Sequence, residues 1–137
     1  MLDLFVLRHV DDGIAAEEAR FGFVFVRRGI VLETAASFFL PRIAGISKAL
    51  EWGMSGRMVG ATEALDHGLV SAVVPQSELL TEANRLAREI ADNAAPVSVA
   101  IVRQMLWRGL GMSHPMEAHR IESRGIYDRA RSADATE

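Results

Sequence analysis

Residues 61–70 read Ala-Thr-Glu-Ala-Leu-Asp-His-Gly-Leu-Val, and they carry the clearest local pattern in the chain. Thr62 is a favoured N-cap residue, and glycine commonly ends a helix because it tolerates a left-handed backbone. The stretch therefore predicts a short helix over 63–67 that ends at Gly68. The apolar run that follows, over 69–74, predicts a strand.

Upstream of this stretch, the patterns indicate one buried strand and two helices. Residues 21–26, Phe-Gly-Phe-Val-Phe-Val, are aromatic and β-branched and predict the strand, with Gly22 at a bulge or a close backbone approach. The other expectations are a short strand or irregular start over 1–12, a polar turn over 13–20, a short helix over 34–40 stopped by Pro41, and a helix over 46–55 that ends at Gly56.

Downstream, three consecutive helices with short loops are predicted over 78–93, 97–110 and 115–130. The chain is therefore α/β and helix-rich, with few strands. A sheet normally needs at least three strands with a packed face. We therefore expect part of the sheet to be supplied upstream or by another chain.

The length, charge and composition of the chain exclude several classes of protein and site. The chain has 137 residues, enough for one domain at about 150 residues per domain. Fifteen basic and eighteen acidic residues give a net charge of −3, which argues against nucleic acid or an anionic membrane as a partner. The chain has no cysteine, so disulfides, thiolate metal sites and a cysteine nucleophile are excluded. With no apolar run of about 18 residues and no signal-peptide layout, a cytoplasmic location is expected.

Among the carboxylates, Glu33 is the candidate catalytic acid or base. It ends the apolar run 29–32 and precedes a mostly apolar helix. A carboxylate in such a place would be partly desolvated, which would raise its pKa toward the range useful for proton transfer. Alternatively, Glu33 is a first-turn residue stabilised by the helix dipole, and spacing alone favours this second interpretation.

The remaining candidates are weaker. His114 and His119 are five residues apart, the wrong spacing for two ligands on one helical face, so no metal site is predicted. Arg27 and Arg28 would suit a phosphate but more often form a solvated loop. Several aromatic residues are expected in the core, or alternatively in the wall of an acyl pocket: Phe21, Phe23, Phe25, Phe38 and Phe39.

Several segments, taken in order, resemble the crotonase superfamily, the enoyl-CoA hydratase/isomerase proteins. The likeness runs over about 11–134 and corresponds to the C-terminal half of that family. It is carried by Ala19-Arg20-Phe21-Gly22, by Gly29-Ile30-Val31 with Glu33, by Leu40-Pro41-Arg42 with Gly45, and by the stretch 61–70. The order and spacing together are specific, whereas any single piece is weak.

The resemblance implies a partial crotonase-like (ClpP/crotonase) spiral fold. Residues 1–75 would form the C-terminal part of the spiral core, and residues 76–137 a helical oligomerisation region. The expected assembly is a homo-oligomer, a trimer or a hexamer.

The resemblance also implies an acyl-CoA thioester as substrate, with an enolate stabilised by two backbone N–H groups. Glu33 matches the single proton-shuttling glutamate of the isomerases. Phe25 stands where the hydratases place a glutamate, so the isomerase-like reaction is favoured. Phe25, Phe38 and Phe39 would bind the acyl chain. No cofactor or metal is expected, because coenzyme A is part of the substrate.

Two departures from the family pattern temper these expectations. The family's first half, which supplies both oxyanion donors, has no counterpart here, and Leu32 replaces a proline before Glu33. The 137-residue chain alone is therefore expected to be weakly active or inactive. The alternatives are a catalytically inactive, truncated remnant, or one half of a split enzyme that retains only the oligomerisation surface.

Overall fold

Residues 13–132 are described by a computed structural model, so the expectation for 1–12 lies outside the described residues. Short strands and helices alternate in the first part, and three longer helices follow. In chain order the elements are β1 (Ile14–Ala16), β2 (Arg20–Gly22), a 3-10 helix (Val24–Arg28), α1 (Ala36–Ala44), α2 (Ile46–Ser55), β3 (Met58–Gly60), α3 (Ala61–Asp66), β4 (Ala72–Val74), α4 (Leu79–Asn93), α5 (Pro96–Gly109) and α6 (Pro115–Arg129).

The four strands form two separate two-stranded sheets within residues 13–132. β1 pairs in parallel with β4, so that Ile14 lies opposite Ala72. β2 pairs antiparallel with β3, so that Phe21 lies opposite Val59. Each strand has three residues. Sheets this small need helices packed on them to be stable, in line with the shortage of strands expected from the sequence.

The prediction of one strand over 21–26 was wrong beyond Gly22. The chain leaves β2 and turns into the 3-10 helix, which Gly29 ends with a left-handed φ of 72°. This tight turn buries the Phe23 ring almost completely and leaves Phe25 half-buried. Gly22 is crowded by side chains, since a Cβ there would lie 2.7 Å from Met58 Sδ.

Other boundaries also differ from the predictions. α3 begins at Ala61, so Thr62 lies inside the helix and does not cap it, and β4 covers only Ala72–Val74 of the strand predicted over 69–74. Pro41 does not stop the helix that precedes it, and α1 runs through it to Ala44. Proline fits a helical φ and costs mainly one backbone hydrogen bond, while packing of α1 on α2 holds the helix together. The expected polar turn over 13–20 contains β1, whose partner lies more than fifty residues away. Such a short strand depends on that distant pairing more than on its own sequence.

The core is built from small and aromatic residues between the sheets and α1–α3. Trp52, Phe23 and Val59 are its largest fully buried side chains. The Phe23 and Trp52 rings stack in parallel with centroids 6.0 Å apart. The other members of this cluster are Ala15, Phe21, Leu40, Ala49, Ala61, Ala64, Leu69 and Val70.

The described residues divide into two compact units, with the boundary between Asn84 and Arg85. In the second unit, α5 packs on α6. The three C-terminal helices predicted from the sequence are observed as α4, α5 and α6. α6 is capped by His114, whose Nδ1 accepts a hydrogen bond from the Met116 N–H at 3.1 Å. Among residues 13–132, the buried hydrophobic residues all lie between Ala15 and Val70, and the described part of the second unit has no buried residue.

Candidate functional site

The turn before α1, residues 32–36, holds the backbone of Glu33 in one place; we refer to it as the Glu33 turn. The Glu33 carbonyl accepts hydrogen bonds from Thr34 Oγ1 at 2.8 Å and from the Ala36 N–H at 3.0 Å. On its other side, Leu32 is half-buried and packs against Gly53 of α2, where a Cβ would be 3.5 Å from Leu32 Cδ1. The turn is thus fastened to the core by its first residue and to α1 by its last.

The backbone of the Glu33 turn is strained. Thr34 and Ala35 have φ values of 53° and 59°, in the left-handed region that favours glycine. That region costs a residue with a Cβ roughly 1–2 kcal/mol. Such strain persists only where the surroundings impose it, and it concentrates at functional sites.

The Glu33 side chain is exposed, so residues 13–132 do not supply the partial desolvation predicted for it. The reason lies in the apolar run that precedes it. Ile30 and Val31 were expected to shield the carboxylate, but they are themselves 54% and 81% exposed. Glu33 therefore stands at the edge of an uncovered apolar surface.

Phe38 and Phe39 lie together on the first two turns of α1. Their rings meet edge to face at 5.1 Å. The Arg42 guanidinium lies 3.6 Å above the Phe38 ring, and Arg42 Nη1 donates to the Phe38 carbonyl at 2.8 Å. Phe38 keeps 39% of its surface exposed, so part of this aromatic pair is open to solvent, five residues after Glu33 along the chain.

Phe25 lies on a different element, the 3-10 helix, which packs against α2. Its side chain is half-buried, and its carbonyl accepts the Ile30 N–H at 3.2 Å. A phenylalanine has no proton to exchange, so the 3-10 helix offers no acid or base at this position.

A cluster of charges between α2 and α3 was not foreseen from the sequence. Glu63 accepts hydrogen bonds from Arg57 Nη1 at 2.8 Å, from Trp52 Nε1 at 3.2 Å and from Lys48 Nζ at 3.2 Å. Arg57 also donates from Nε to Glu51 at 2.8 Å. Glu63 belongs to the stretch 61–70 and lies on α3, whereas Arg57 lies six residues earlier in the loop after α2, so no helical spacing indicates the pair.

These contacts stabilise the charged form of Glu63. Hydrogen bonding to Arg57, followed by that to Trp52 and Lys48, holds the pKa of Glu63 far below its ordinary 4.5. Its hydrogen bonds and ion pairs join α2 to α3, which gives the cluster a structural role.

The depressed pKa gives the chain an acid-sensitive contribution to stability. Since the folded pKa is below the unfolded one, this contribution is complete above about pH 4.5 and is lost as the pH falls. We expect Glu63→Gln to lower the melting temperature at pH 7 and to flatten its dependence on pH between about 5 and 2. Calorimetry at several pH values measures both effects. Glu18→Gln, at an exposed position, is the control, and an equally steep acid loss in Glu63→Gln would contradict this assignment.

An apolar groove of about 310 Å³ runs between α5 and α6. Arg129 lies at its edge, with Nε 3.3 Å from Ser98 Oγ. The groove is lined by Ser98, Ile101, Val102, Met105, Glu122, Gly125, Ile126 and Arg129. Within residues 13–132 no three histidine, aspartate or glutamate side chains are grouped as metal ligands, and no helix is long and apolar enough to cross a membrane.

Comparison with known proteins finds several curated relatives of this chain. An enoyl-CoA hydratase of Alternaria alternata, ACTT3, is 44% identical over 125 residues, which are 90% of this chain and 42% of that protein. Carnitinyl-CoA dehydratase of Escherichia coli is 33% identical over 113 residues, 82% of this chain and 42% of the relative. The chain thus spans less than half the length of these curated relatives.

Comparison with solved structures finds relatives with similar names. A probable enoyl-CoA hydratase/isomerase from Mycobacterium abscessus superposes with a TM-score of 0.90 at 34% identity, over 94% of this chain and 51% of that structure. The sequence profile of the family described as enoyl-CoA hydratase/isomerase matches residues 6–137, nearly the whole chain. The chain therefore belongs to the enoyl-CoA hydratase/isomerase family of the crotonase superfamily and has an α/β crotonase-like fold.

Proposed function

We propose that the chain acts on acyl-CoA thioesters, with Glu33 as the single acid/base that moves a proton between two carbons of the acyl chain. One observation carries the proposal: Glu33 is held by a strained turn fastened to the core, and the paired rings of Phe38 and Phe39 follow it on the first turn of α1. A substrate with a polar thioester and an apolar tail matches a carboxylate next to an apolar surface.

The names of the relatives support the thioester more strongly than any one reaction. One relative is called a hydratase and another a dehydratase, and the names of both contain coenzyme A. The substrate class is therefore what they share. We propose the same class for this chain, with no cofactor besides the coenzyme A of the substrate.

The choice of reaction depends on Glu33 and Phe25. In a proton shuttle, the carboxylate of Glu33 removes a proton from the carbon next to the thioester carbonyl, and an enolate forms. The same carboxyl group then delivers a proton to the carbon at the far end of the conjugated system, so the double bond moves and Glu33 ends as it began. Hydration needs a further group to activate water, and Phe25 cannot supply one at its position on the 3-10 helix.

The proposal is tested by giving the purified 137-residue chain two substrates in parallel. With a 3-enoyl-CoA, we expect slow formation of the conjugated 2-enoyl-CoA, followed by its ultraviolet absorbance. With a 2-enoyl-CoA, we expect no hydrated product by mass spectrometry above the buffer rate. Hydration faster than isomerisation would contradict the assignment of an isomerase-type reaction.

The exposed apolar residues of α5 and α6 support a second proposal, that the region 76–137 assembles the chain into a homo-oligomer. Leu106 and Ile126 are each 70% exposed, and Tyr127 is 62% exposed. Two helices without a single buried residue leave a large apolar surface in water, and such surfaces typically mark protein–protein contacts.

We expect sedimentation to give a trimer or hexamer of the 15.0 kDa chain. Leu106→Glu places a charge on this surface and is expected to weaken association by at least about tenfold. Met54→Glu, at a 74% exposed position on α2, is the control that leaves association unchanged. A wild-type chain that sediments as a monomer at high micromolar concentration would contradict the proposal.

A further inference from the structure

Two consecutive residues after Glu33 adopt a backbone conformation that their side chains disfavour. Among residues 13–132, Thr34 and Ala35 are the only residues other than glycine with a positive φ. Threonine is β-branched, and for such residues a left-handed backbone is a genuine outlier. Something in the Glu33 turn must therefore hold this conformation.

The hydroxyl of Thr34 makes the contact that holds it. Thr34 Oγ1 donates to the carbonyl of Glu33 at 2.8 Å, and the N–H of Ala36 donates to the same oxygen at 3.0 Å. The carbonyl of Ala35 in turn accepts from the N–H groups of Phe38 and Phe39 at 3.0 and 3.1 Å, which begins α1. The peptide unit between Glu33 and Thr34 is thus held by two hydrogen bonds to the Glu33 carbonyl.

The carboxylate of Glu33 has no comparable support. Within the described part of the chain, no hydrogen bond or ion pair joins this carboxylate to another side chain, and the residue is exposed. The direction in which the side chain leaves the backbone is consequently set by the backbone of the Glu33 turn. Leu32, packed on Gly53, fixes the approach to the turn, and Thr34 fixes the exit.

We propose that Thr34 is a positioning residue, whose hydroxyl locks the Glu33 backbone and thereby aims the carboxylate. The kinetic part of this inference rests on the proposed function, whereas its structural part does not. A misplaced acid/base lowers the rate of the chemical step and leaves substrate binding intact.

The experiment compares Thr34→Ala, which removes the hydroxyl, with Thr34→Ser, which keeps it. Hydrogen exchange of the Ala36 amide is followed by NMR in the 137-residue chain. The reference is the Gly56 amide, which donates a hydrogen bond to the Trp52 carbonyl at 3.0 Å. In Thr34→Ala we expect the Ala36 amide to exchange about three- to tenfold faster, with Gly56 unchanged. Thr34→Ser should restore the wild-type rate to within about twofold. Thr81→Ala, at an exposed position on α4, is the matched control.

The same variants are assayed with a 3-enoyl-CoA. We expect Thr34→Ala to lower kcat about tenfold at constant KM, and Thr34→Ser to recover it. Unchanged Ala36 exchange in Thr34→Ala would overturn the inference, and so would faster exchange with unaltered kcat in an active chain. If the wild-type chain shows no turnover that depends on Glu33, the proposed function fails, and the exchange data alone decide the role of Thr34.

Discussion

Replacing Trp52 by alanine is expected to lower the free energy of unfolding by about 3–5 kcal/mol. The indole is fully buried, stacks on Phe23 at 6.0 Å and meets the edge of His67 at 5.8 Å. Its Nε1 also donates to Glu63 at 3.2 Å, so alanine would leave a cavity and remove one of the donors that join α2 to α3. Urea unfolding followed by far-ultraviolet circular dichroism measures the loss.

Two further variants separate packing from hydrogen bonding in this effect. Leu50→Ala, on the same helix at a 51% exposed position, should cost less than about 1 kcal/mol. Trp52→Phe keeps most of the ring but loses Nε1, so an intermediate loss of about 1–2 kcal/mol is expected. A Trp52→Ala chain as stable as Leu50→Ala would show that the aromatic cluster is not the centre of the core.

Replacing Glu33 by glutamine is expected to lower the isomerisation rate of a 3-enoyl-CoA by about 10²–10⁴-fold. Glutamine keeps the size and polarity of the side chain but cannot accept and return a proton. Because the Glu33 turn is held by backbone contacts and by Leu32, the substitution should leave the fold and KM unchanged. Steady-state kinetics on the wild-type and variant chains measure the difference.

Glu18→Gln removes another exposed carboxylate and is the control for a nonspecific effect of charge. Its kcat is expected to stay within about twofold of the wild-type value. Turnover by Glu33→Gln at the wild-type rate would remove Glu33 from the mechanism, whatever the family of the chain.

The longer helices were predictable from sequence because each carries its own signals. Helical spacing of apolar residues, together with Gly56, Pro96 and Pro115 at helix ends, placed α2, α5 and α6 within a few residues of their observed bounds. These signals are local, so they survive without knowledge of the rest of the fold. The family resemblance was likewise carried by short segments in a fixed order.

The strands and the surroundings of Glu33 were not predictable in this way. β1 exists because Ile14 meets Ala72 across the fold, and a three-residue strand has almost no pattern of its own. Pro41 looked like a helix stop, but packing against α2 overrides that preference. The exposure of Glu33 depends on how far Ile30 and Val31 are covered, which no local pattern encodes.

The charge cluster around Glu63 shows a third kind of limit. Its other members are Lys48 and Glu51 on α2 and Arg57 in the loop between α2 and β3. No single periodicity links them, although Glu63 lies in the most readable stretch of the sequence. From sequence, Glu63 was predicted only to lie in a helix. Its role in joining α2 to α3 is visible only in the tertiary structure.

The exchange of a substrate proton with solvent tests most directly whether Glu33 moves protons on a thioester. The 137-residue chain is incubated with an acyl-CoA in D₂O, and deuterium at the carbon next to the thioester carbonyl is followed by NMR. We expect incorporation above the buffer rate with the wild-type chain and with Glu18→Gln, and incorporation at the buffer rate with Glu33→Gln. Equal incorporation by the wild-type chain and Glu33→Gln, or none above buffer with either, would contradict the account.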